Sequence, residues 1–314
     1  MKARLGLIGG RGYTGRELLN LVAAHPGLQT VAVASRSEAG RRVCDQFPEF
    51  PDPDLRFCAA EAEIALSCEA EAFVLALPNG QAAAWVEAIS ARYPQAVIVD
   101  LSADHRGDER WVYGLPEINR AAIRGQRLIA NPGCYATAAM LALWPFRELL
   151  GGVPSVFGVS GYSGAGSTPS PRNNPQRLAD NLLPYQLTGH AHQVELGRML
   201  GRDVALMPHV ASFFRGLLVT AAFDVTSGDV DANAALAAAY ADEPLITLSA
   251  EPAEPGSMAG KQGALVGPAA LDPRTGRRLV VTAALDNLLK GAAVQALQNL
   301  NLALGFDELT GVTA

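Results

Sequence analysis

Apolar residues fall in two kinds of run along the first half of the chain. Short blocks dense in Val, Ile, Leu and Ala recur at ARLGLIG (3–9), TVAVAS (30–35), AFVLALP (72–78), AVIVDLS (96–102) and RLIANPG (127–133). Between them lie longer stretches of helical spacing, such as YTGRELLNLVAAH (13–25), where Leu18, Leu19 and Val22 share the inward face. Near-continuous apolar blocks suit parallel strands covered on both faces, and their alternation with helices implies right-handed crossovers. Beyond residue 150 or so the pattern changes. SVFGVSGYSGAGS (155–167) reads as a strand running into a glycine-rich loop, and STPSPRNNPQ (167–176) as loop. GLLVTAAFDVT (216–226) and RLVVTAALD (278–286) read as long strands of a second, largely antiparallel sheet, and NLLKGAAVQALQNLNLAL (287–304) predicts a long amphipathic helix. The fold class is α/β, a Rossmann-like parallel domain followed by an α+β domain.

Composition narrows the function. The 314 residues are 49% hydrophobic and 18% charged, which is globular and long enough for two domains. A formal net charge of −6 lacks the basic face of a nucleic-acid binder. No apolar run reaches the ~18 residues of a membrane span; YATAAMLALWPF (135–146) reads as a buried helix. After Lys2 and Arg4 the stretch LGLIGG leaves no room for a secretory leader. Four cysteines with no CxxC or Cys/His zinc spacing predict free thiols, no metal and a cytoplasmic setting.

GGRGYTG (9–15) stands where the first strand turns into the first helix, with Gly9, Gly12 and Gly15 spaced three apart. A pyrophosphate needs this arrangement: a tight turn, close backbone approach and amide donors at a helix N-terminus. Arg11, Tyr13 and Thr14 complete the loop. A ribose with a free 2′-hydroxyl is usually held by an acid at the end of the second strand. Here Ser35, Arg36 and Ser37 stand there instead. A guanidinium flanked by hydroxyls suits a 2′-phosphate, so the expected cofactor is NADP(H).

Cys134, in ANPGCYAT (130–137), follows a Pro-Gly turn at the start of a helix. Unpaired N–H groups and the helix dipole can lower a thiol pKa from ~8.5 to roughly 3.5–7.5, which makes thiolate at neutral pH. Cys44, Cys58 and Cys68 stand in contexts suited to small buried hydrophobes. A nucleophilic thiol needs a proton-transfer partner, and TGHAHQVEL (188–196) offers His190 and His192, with Glu195 at helical spacing. The residues alone do not separate the two histidines. His25 reads as a surface residue at a helix end.

With these motifs in place, the chain resembles the N-acetyl-γ-glutamyl-phosphate reductases of arginine biosynthesis, members of the semialdehyde dehydrogenase superfamily. GGRGYTG, LPNG (77–80), DLSADHR (100–106), YGLPEIN (113–119), NPGCYAT (131–137), GVSGYSGAGS (158–167), GHAHQVE (189–195), PHVASFFRG (208–216) and DNLLKGAAVQALQNLN (286–301) follow in that family's order. The resemblance implies that Cys134 attacks an acyl phosphate and expels phosphate. Hydride from NADPH then reduces the thioester to a semialdehyde. It implies acid/base work by His190 or His192, with a lean to His190, and orientation by Glu195. It places Pro78, Ser163, Gly164 and Asn287 at the cofactor, and Arg106 and Arg215 on a substrate carboxylate or phosphate. It divides the chain into an NADP-binding domain (1–133), a catalytic and dimerisation domain (134–285) and a C-terminal helix (286–314) returning to the first. A homodimer or homotetramer is expected.

Three segments depart from the family pattern, all on the substrate side. Ser167 stands where an Arg usually follows SGAG, HAHQVE replaces HRHTPEIE, and SFFRG replaces PMTRG. Arg172 would take the missing arginine's place only if its loop folds back. The alternatives within the superfamily are reductases of aspartyl phosphate or of a carrier-bound aminoadipyl phosphate. Three lysines and a net charge of −6 argue against docking to an acidic carrier. A non-catalytic NADP-sensing regulator would need neither Cys134 nor the paired histidines.

Overall fold

The computed structural model describes residues 2–226 and 230–313. The chain forms two compact units, one from Met1–Pro132 with Ala292–Thr313 and one from Gly133–Gly291.

The first unit carries a seven-stranded sheet of Ala3–Ile8 (β1), Leu28–Ser35 (β2), Phe57–Ala59 (β3), Ala72–Leu75 (β4), Val97–Asp100 (β5), Val112–Tyr113 (β6) and Leu128–Ala130 (β7). The order is β3-β2-β1-β4-β5-β7-β6, parallel throughout. Leu5, Leu7, Ile8, Val33, Val74, Ile98 and Val99 are buried, as the continuous apolar blocks require, and each contributes about 1.5–3 kcal/mol. Successive connections run outward in opposite directions from β1 and β4, so the loops that follow these strands open the crevice where α/β sheets take ligands.

Two expectations fail in this unit. His25 is fully buried, not a surface residue. Its Nε2 lies 3.0 Å from Asn301 Oδ1, and its Nδ1 accepts the Gly27 N–H at 3.0 Å. The C-terminal segment is also not one amphipathic helix. It runs as a π-helical turn, Leu289–Ala293, into the helix Val294–Leu304, in which every residue from Val294 to Leu302 is buried. Its side-chain amide nitrogens are paired inside the unit: Gln295 and Asn299 donate to the Gly114 carbonyl at 2.6 and 2.9 Å, and Asn301 donates to the carbonyls of Glu308 and Thr310. Buried amides persist only when paired in this way.

The second unit is built on Leu150–Gly161 (β8), Leu183–Pro184 (β9), Ala205–Ala211 (β10), Leu217–Val225 (β11), Ile246–Leu248 (β12), Ala264–Val266 (β13), Ala270–Leu271 (β14) and Arg278–Leu285 (β15). Its order is β12-β13-β15-β11-β8-β10-β9, with β14 on β15. Most pairs are antiparallel, but β8 with β10 and β12 with β13 run parallel. The helix Cys134–Leu143 packs on β11 and β15, and Tyr135 to Leu143 are all buried. It is the apolar helix expected at 135–146. Asp286 and Asn287 are bonded into this unit, so the division falls at Gly291/Ala292 and not at residue 286. Among the described residues no helix is long and apolar enough to cross a membrane.

Candidate active site

Cys134 is the first residue of its helix, half-buried and a free thiol. The preceding Gly133 is the N-cap, at φ −77° and ψ 151°. Its conformation is open to any residue, but its space is not. A Cβ there would lie 2.1 Å from His192 Nε2, so the imidazole packs directly on the Gly133 backbone. On another side, a Cβ at Gly291 would lie 2.8 Å from that of Cys134. Two glycines thus leave room for the thiol and its histidine neighbour.

The histidines take unequal positions. His190 is the N-cap of the helix Ala191–Leu200, and its Nδ1 accepts the His192 N–H at 3.1 Å. That bond leaves Nε2 to carry the proton of the neutral ring. The two rings are 4.7 Å apart and edge-on. Glu195 is buried one turn on, and its Oε1 accepts the Gly133 N–H at 3.0 Å. A carboxylate from one helix therefore satisfies a backbone donor at the start of another, a contact that local spacing did not suggest.

Tyr135 and Tyr185 close the site. Tyr135 donates its hydroxyl to the His209 carbonyl at 2.6 Å, and its ring lies over Gly158, where a Cβ would meet it at 2.5 Å. Tyr185 is 5.6 Å from His190, edge-on. Burial, with the neighbouring charge of Cys134 adding to it, pushes the Tyr185 phenol above its ordinary range, so it stays neutral. The loop after Gly166 does fold back: the Arg172 guanidinium sits 4.9 Å from the centre of the Tyr185 ring.

Arg215 and Asn287 belong to one hydrogen-bonded group. Arg215 Nε donates to buried Asp286 at 2.5 Å, and Asp286 also accepts the Gly260 N–H. Asn287 accepts the Gly216 N–H and donates to Ser163 Oγ, both at 2.9 Å. Gly164, next to Ser163, is exposed.

In the first unit, the glycine loop after β1 has the tight geometry its sequence demands. Gly9 has φ +89°, and a Cβ there would lie 2.3 Å from the Ala76 carbonyl oxygen beyond β4. A Cβ at Gly15 would lie 2.6 Å from Gly10 O. Gly12, the N-cap of the helix Tyr13–Ala24, faces open space, and that helix has no acid in its first turn. Tyr13 and Thr14 begin it, half-buried. Ser35 is buried and its Oγ accepts the Glu38 N–H, while Arg36 is exposed and has no ion-pair partner among the described residues. Glu38 is held by Arg41 at 3.0 Å and faces Arg11 at 3.6 Å. A Gly-lined helix start beside an uncommitted arginine, with the nearest acid neutralised, fits a dinucleotide bearing a 2′-phosphate. Pro78 is exposed in the loop after β4, which Asp104 fastens by accepting the Gly80 and Ala82 N–H groups. Arg106 donates to the carbonyls of Asn131 and Leu101 at 2.9 and 2.8 Å.

Cys134, His190, His192, Glu195, Ser163, Gly164, Arg215 and Asn287 thus belong to the second unit. The glycine loop, Arg36, Pro78 and Arg106 belong to the first. Among the described residues no group of three His, Cys, Asp or Glu side chains is disposed to hold a metal.

Residues 4–126 match the family model of the semialdehyde dehydrogenase NAD binding domain, and residues 134–287 that of its dimerisation domain. The chain is 52% identical over 312 residues to the N-acetyl-gamma-glutamyl-phosphate reductase of Stenotrophomonas maltophilia, covering 98% of this chain and 97% of that one. It is 50% identical to the reductase of the same name from Xanthomonas campestris, covering 98% of each. The chain belongs to the N-acetyl-γ-glutamyl-phosphate reductase family.

Solved relatives carry the same fold at lower identity. Aspartate semialdehyde dehydrogenase II of Vibrio cholerae superposes with a TM-score of 0.79 at 18% identity, over 97% of this chain and 99% of that one. The Candida albicans aspartate semialdehyde dehydrogenase, solved with NADP, gives 0.76 at 13%, over 96% and 98%. The Glu195–Gly133 contact and the Tyr185 wall are two features of the site that the sequence analysis lacks. A buried acid near the start of a helix was the one signal for the first, and nothing local marked the second.

Proposed function

We propose that this chain reduces N-acetyl-γ-glutamyl phosphate to N-acetylglutamate 5-semialdehyde with NADPH, releasing inorganic phosphate, in cytoplasmic arginine biosynthesis. The observation that carries this reading is a half-buried thiol at a helix start with an imidazole packed on the residue before it, in a chain 52% identical to a reductase of that name.

The helix N-terminus favours the Cys134 thiolate. Its sulfur attacks the acyl carbon, the bond to the phosphoryl oxygen breaks, and the electron pair leaves with phosphate. The glycine loop and Arg36 would hold NADPH, which would supply the hydride for the thioester carbonyl. The resulting hemithioacetal then collapses, returning the electron pair to sulfur. His192 moves the proton, since its Nε2 faces the Gly133 backbone while His190 Nδ1 is committed to capping the helix Ala191–Leu200. Such a group is worth ~10²–10⁴-fold in rate. This assignment reverses the family-based lean to His190. Glu195 accepts the Gly133 N–H and so orients the start of the nucleophile's helix. Asn287 holds Ser163 and Gly216 in the adjacent loops, and Arg106 and Arg215, each anchored on internal acceptors, bind substrate oxygens.

The working form is a homodimer or a homotetramer of such dimers. One face of the second sheet supports this: Val153 and Phe157 are exposed large apolar residues there, and Phe157 packs on His209 with ring centres 4.4 Å apart and planes tilted by 40°.

The deciding assay runs the reaction backwards, following NADP⁺ reduction with inorganic phosphate and N-acetylglutamate semialdehyde beside aspartate semialdehyde. Phosphate-dependent turnover with the acetylated substrate supports the reading. Turnover confined to aspartate semialdehyde would move the substrate and keep the mechanism.

A further inference from the structure

We propose that Arg172 is a substrate-binding residue that holds an oxyanion of the acyl phosphate, its phosphoryl group, beside Cys134. The proposal rests on the function given above. The loop carrying Arg172 is stitched into one shape by its neighbour: Asn173 Oδ1 accepts the Ser170 N–H at 2.7 Å, and its Nδ2 donates to the Gly166 and Thr168 carbonyls at 2.8 Å. Asn174 then caps the next turn by accepting the Gln176 and Arg177 N–H groups. Arg172 is thereby delivered onto the face of Tyr185, 4.9 Å from the ring centre, and Tyr185 lies 5.6 Å from His190.

The guanidinium is half-buried, and no carboxylate pairs with it among the described residues. Arg215, by contrast, spends its Nε on Asp286. An uncompensated cation stacked on an aromatic wall keeps its planar N–H edges for a ligand, and that fork matches phosphate oxygens bidentately. The position suits the chemistry. As the S–C bond forms and the C–O bond breaks, the departing phosphate takes the electron pair, and a fixed cation steadies that charge. Tyr185 stays a neutral phenol and so sets no competing anion against the guanidinium.

The test is Arg172→Ala and Arg172→Lys in the full chain, in the reverse direction. For Arg172→Ala the KM for inorganic phosphate should rise about 10–100-fold, as expected for losing a charged hydrogen bond, with the KM for the semialdehyde within about twofold. Arg172→Lys should fall between, because it keeps the charge without the fork. A rise confined to the semialdehyde KM would overturn the proposal, because the guanidinium would then hold the substrate carboxylate and not the phosphoryl group. Unchanged values for both would overturn the proposal.

Protection of Cys134 from iodoacetamide gives a readout that does not need turnover. Inorganic phosphate should slow alkylation of the unaltered chain and not of Arg172→Ala. Equal protection of both would overturn the assignment of Arg172. Absence of phosphate-dependent turnover in the unaltered chain would instead count against the function.

Discussion

His192 and Gly133 are in direct contact, ring against backbone, so closely that a single added methyl would lie 2.1 Å from the imidazole Nε2. The contact makes Gly133 a steric requirement of the site, although its backbone conformation suits any residue. Gly133→Ala should therefore fold and bind cofactor while displacing His192. We expect kcat/KM to fall roughly 10²-fold or more, the usual consequence of moving a reacting group by an ångström. His192→Gln should lose at least as much, and His190→Gln less. A Gly133→Ala enzyme with full activity would exclude His192 from the chemistry.

Cys134→Ser should abolish hydride transfer and leave cofactor titration unchanged, since a hydroxyl at this helix start has little oxyanion character. Selective alkylation of the unaltered chain at Cys134, over Cys44, Cys58 and Cys68, should remove activity in step. Burial raises the Cys58 and Cys68 thiols above their ordinary pKa, which makes them slow competitors. Activity in the serine variant within tenfold of the original would refute the nucleophile assignment.

Arg36→Ala should raise the KM for NADPH roughly 10–100-fold and barely alter that for NADH, because only the 2′-phosphate meets the guanidinium. Comparable losses with both cofactors would mean that Arg36 does not read the phosphate. The exposed position of Arg36 makes a folding defect an unsuitable explanation for any change.

Glu195→Ala leaves the buried Gly133 N–H without its acceptor, at a cost of about 1–3 kcal/mol, and should lower both Tm and kcat. Glu195→Gln keeps an acceptor oxygen and should preserve most of the stability. If the two variants melt together, the hydrogen bond to Gly133 is not what Glu195 contributes.

The pH dependence of stability should carry the signature of His25. Burial holds its imidazole below the ordinary value of 6.5, against a smaller upward pull from Asn301. The unfolded chain therefore takes up a proton that the folded chain resists, and stability drains away as pH drops from about 6.5 towards the lowered folded value. Thermal melts from about pH 7.5 to about 5.5 should fall more steeply for the unaltered chain than for His25→Gln. Parallel slopes would show that His25 titrates alike in both states.

Much of this was legible locally. The apolar blocks at 3–9, 30–35, 72–78 and 96–102 determined parallel strands, because a strand buried on both faces has no polar side to alternate with. Gly9 and Gly15 marked the dinucleotide turn because their positions exclude a Cβ, and Pro132-Gly133-Cys134 marked a thiol at a helix start. These are properties of neighbours in sequence, and periodicity reports them.

The rest was decided by residues far apart in the chain. His25 and Asn301 meet across 276 positions, and Glu195 reaches Gly133 across 62. The Gln and Asn residues of Val294–Leu304 read as a solvent face, yet they are buried, because Gly114, Asn131 and Glu308 supply the partners that make burial tolerable. Arg172 stands on Tyr185 because Asn173 closes the loop from Gly166 that carries it. Whether a polar side chain faces water, a carbonyl or a substrate depends on which distant group the fold brings to it, and only the tertiary structure decides that.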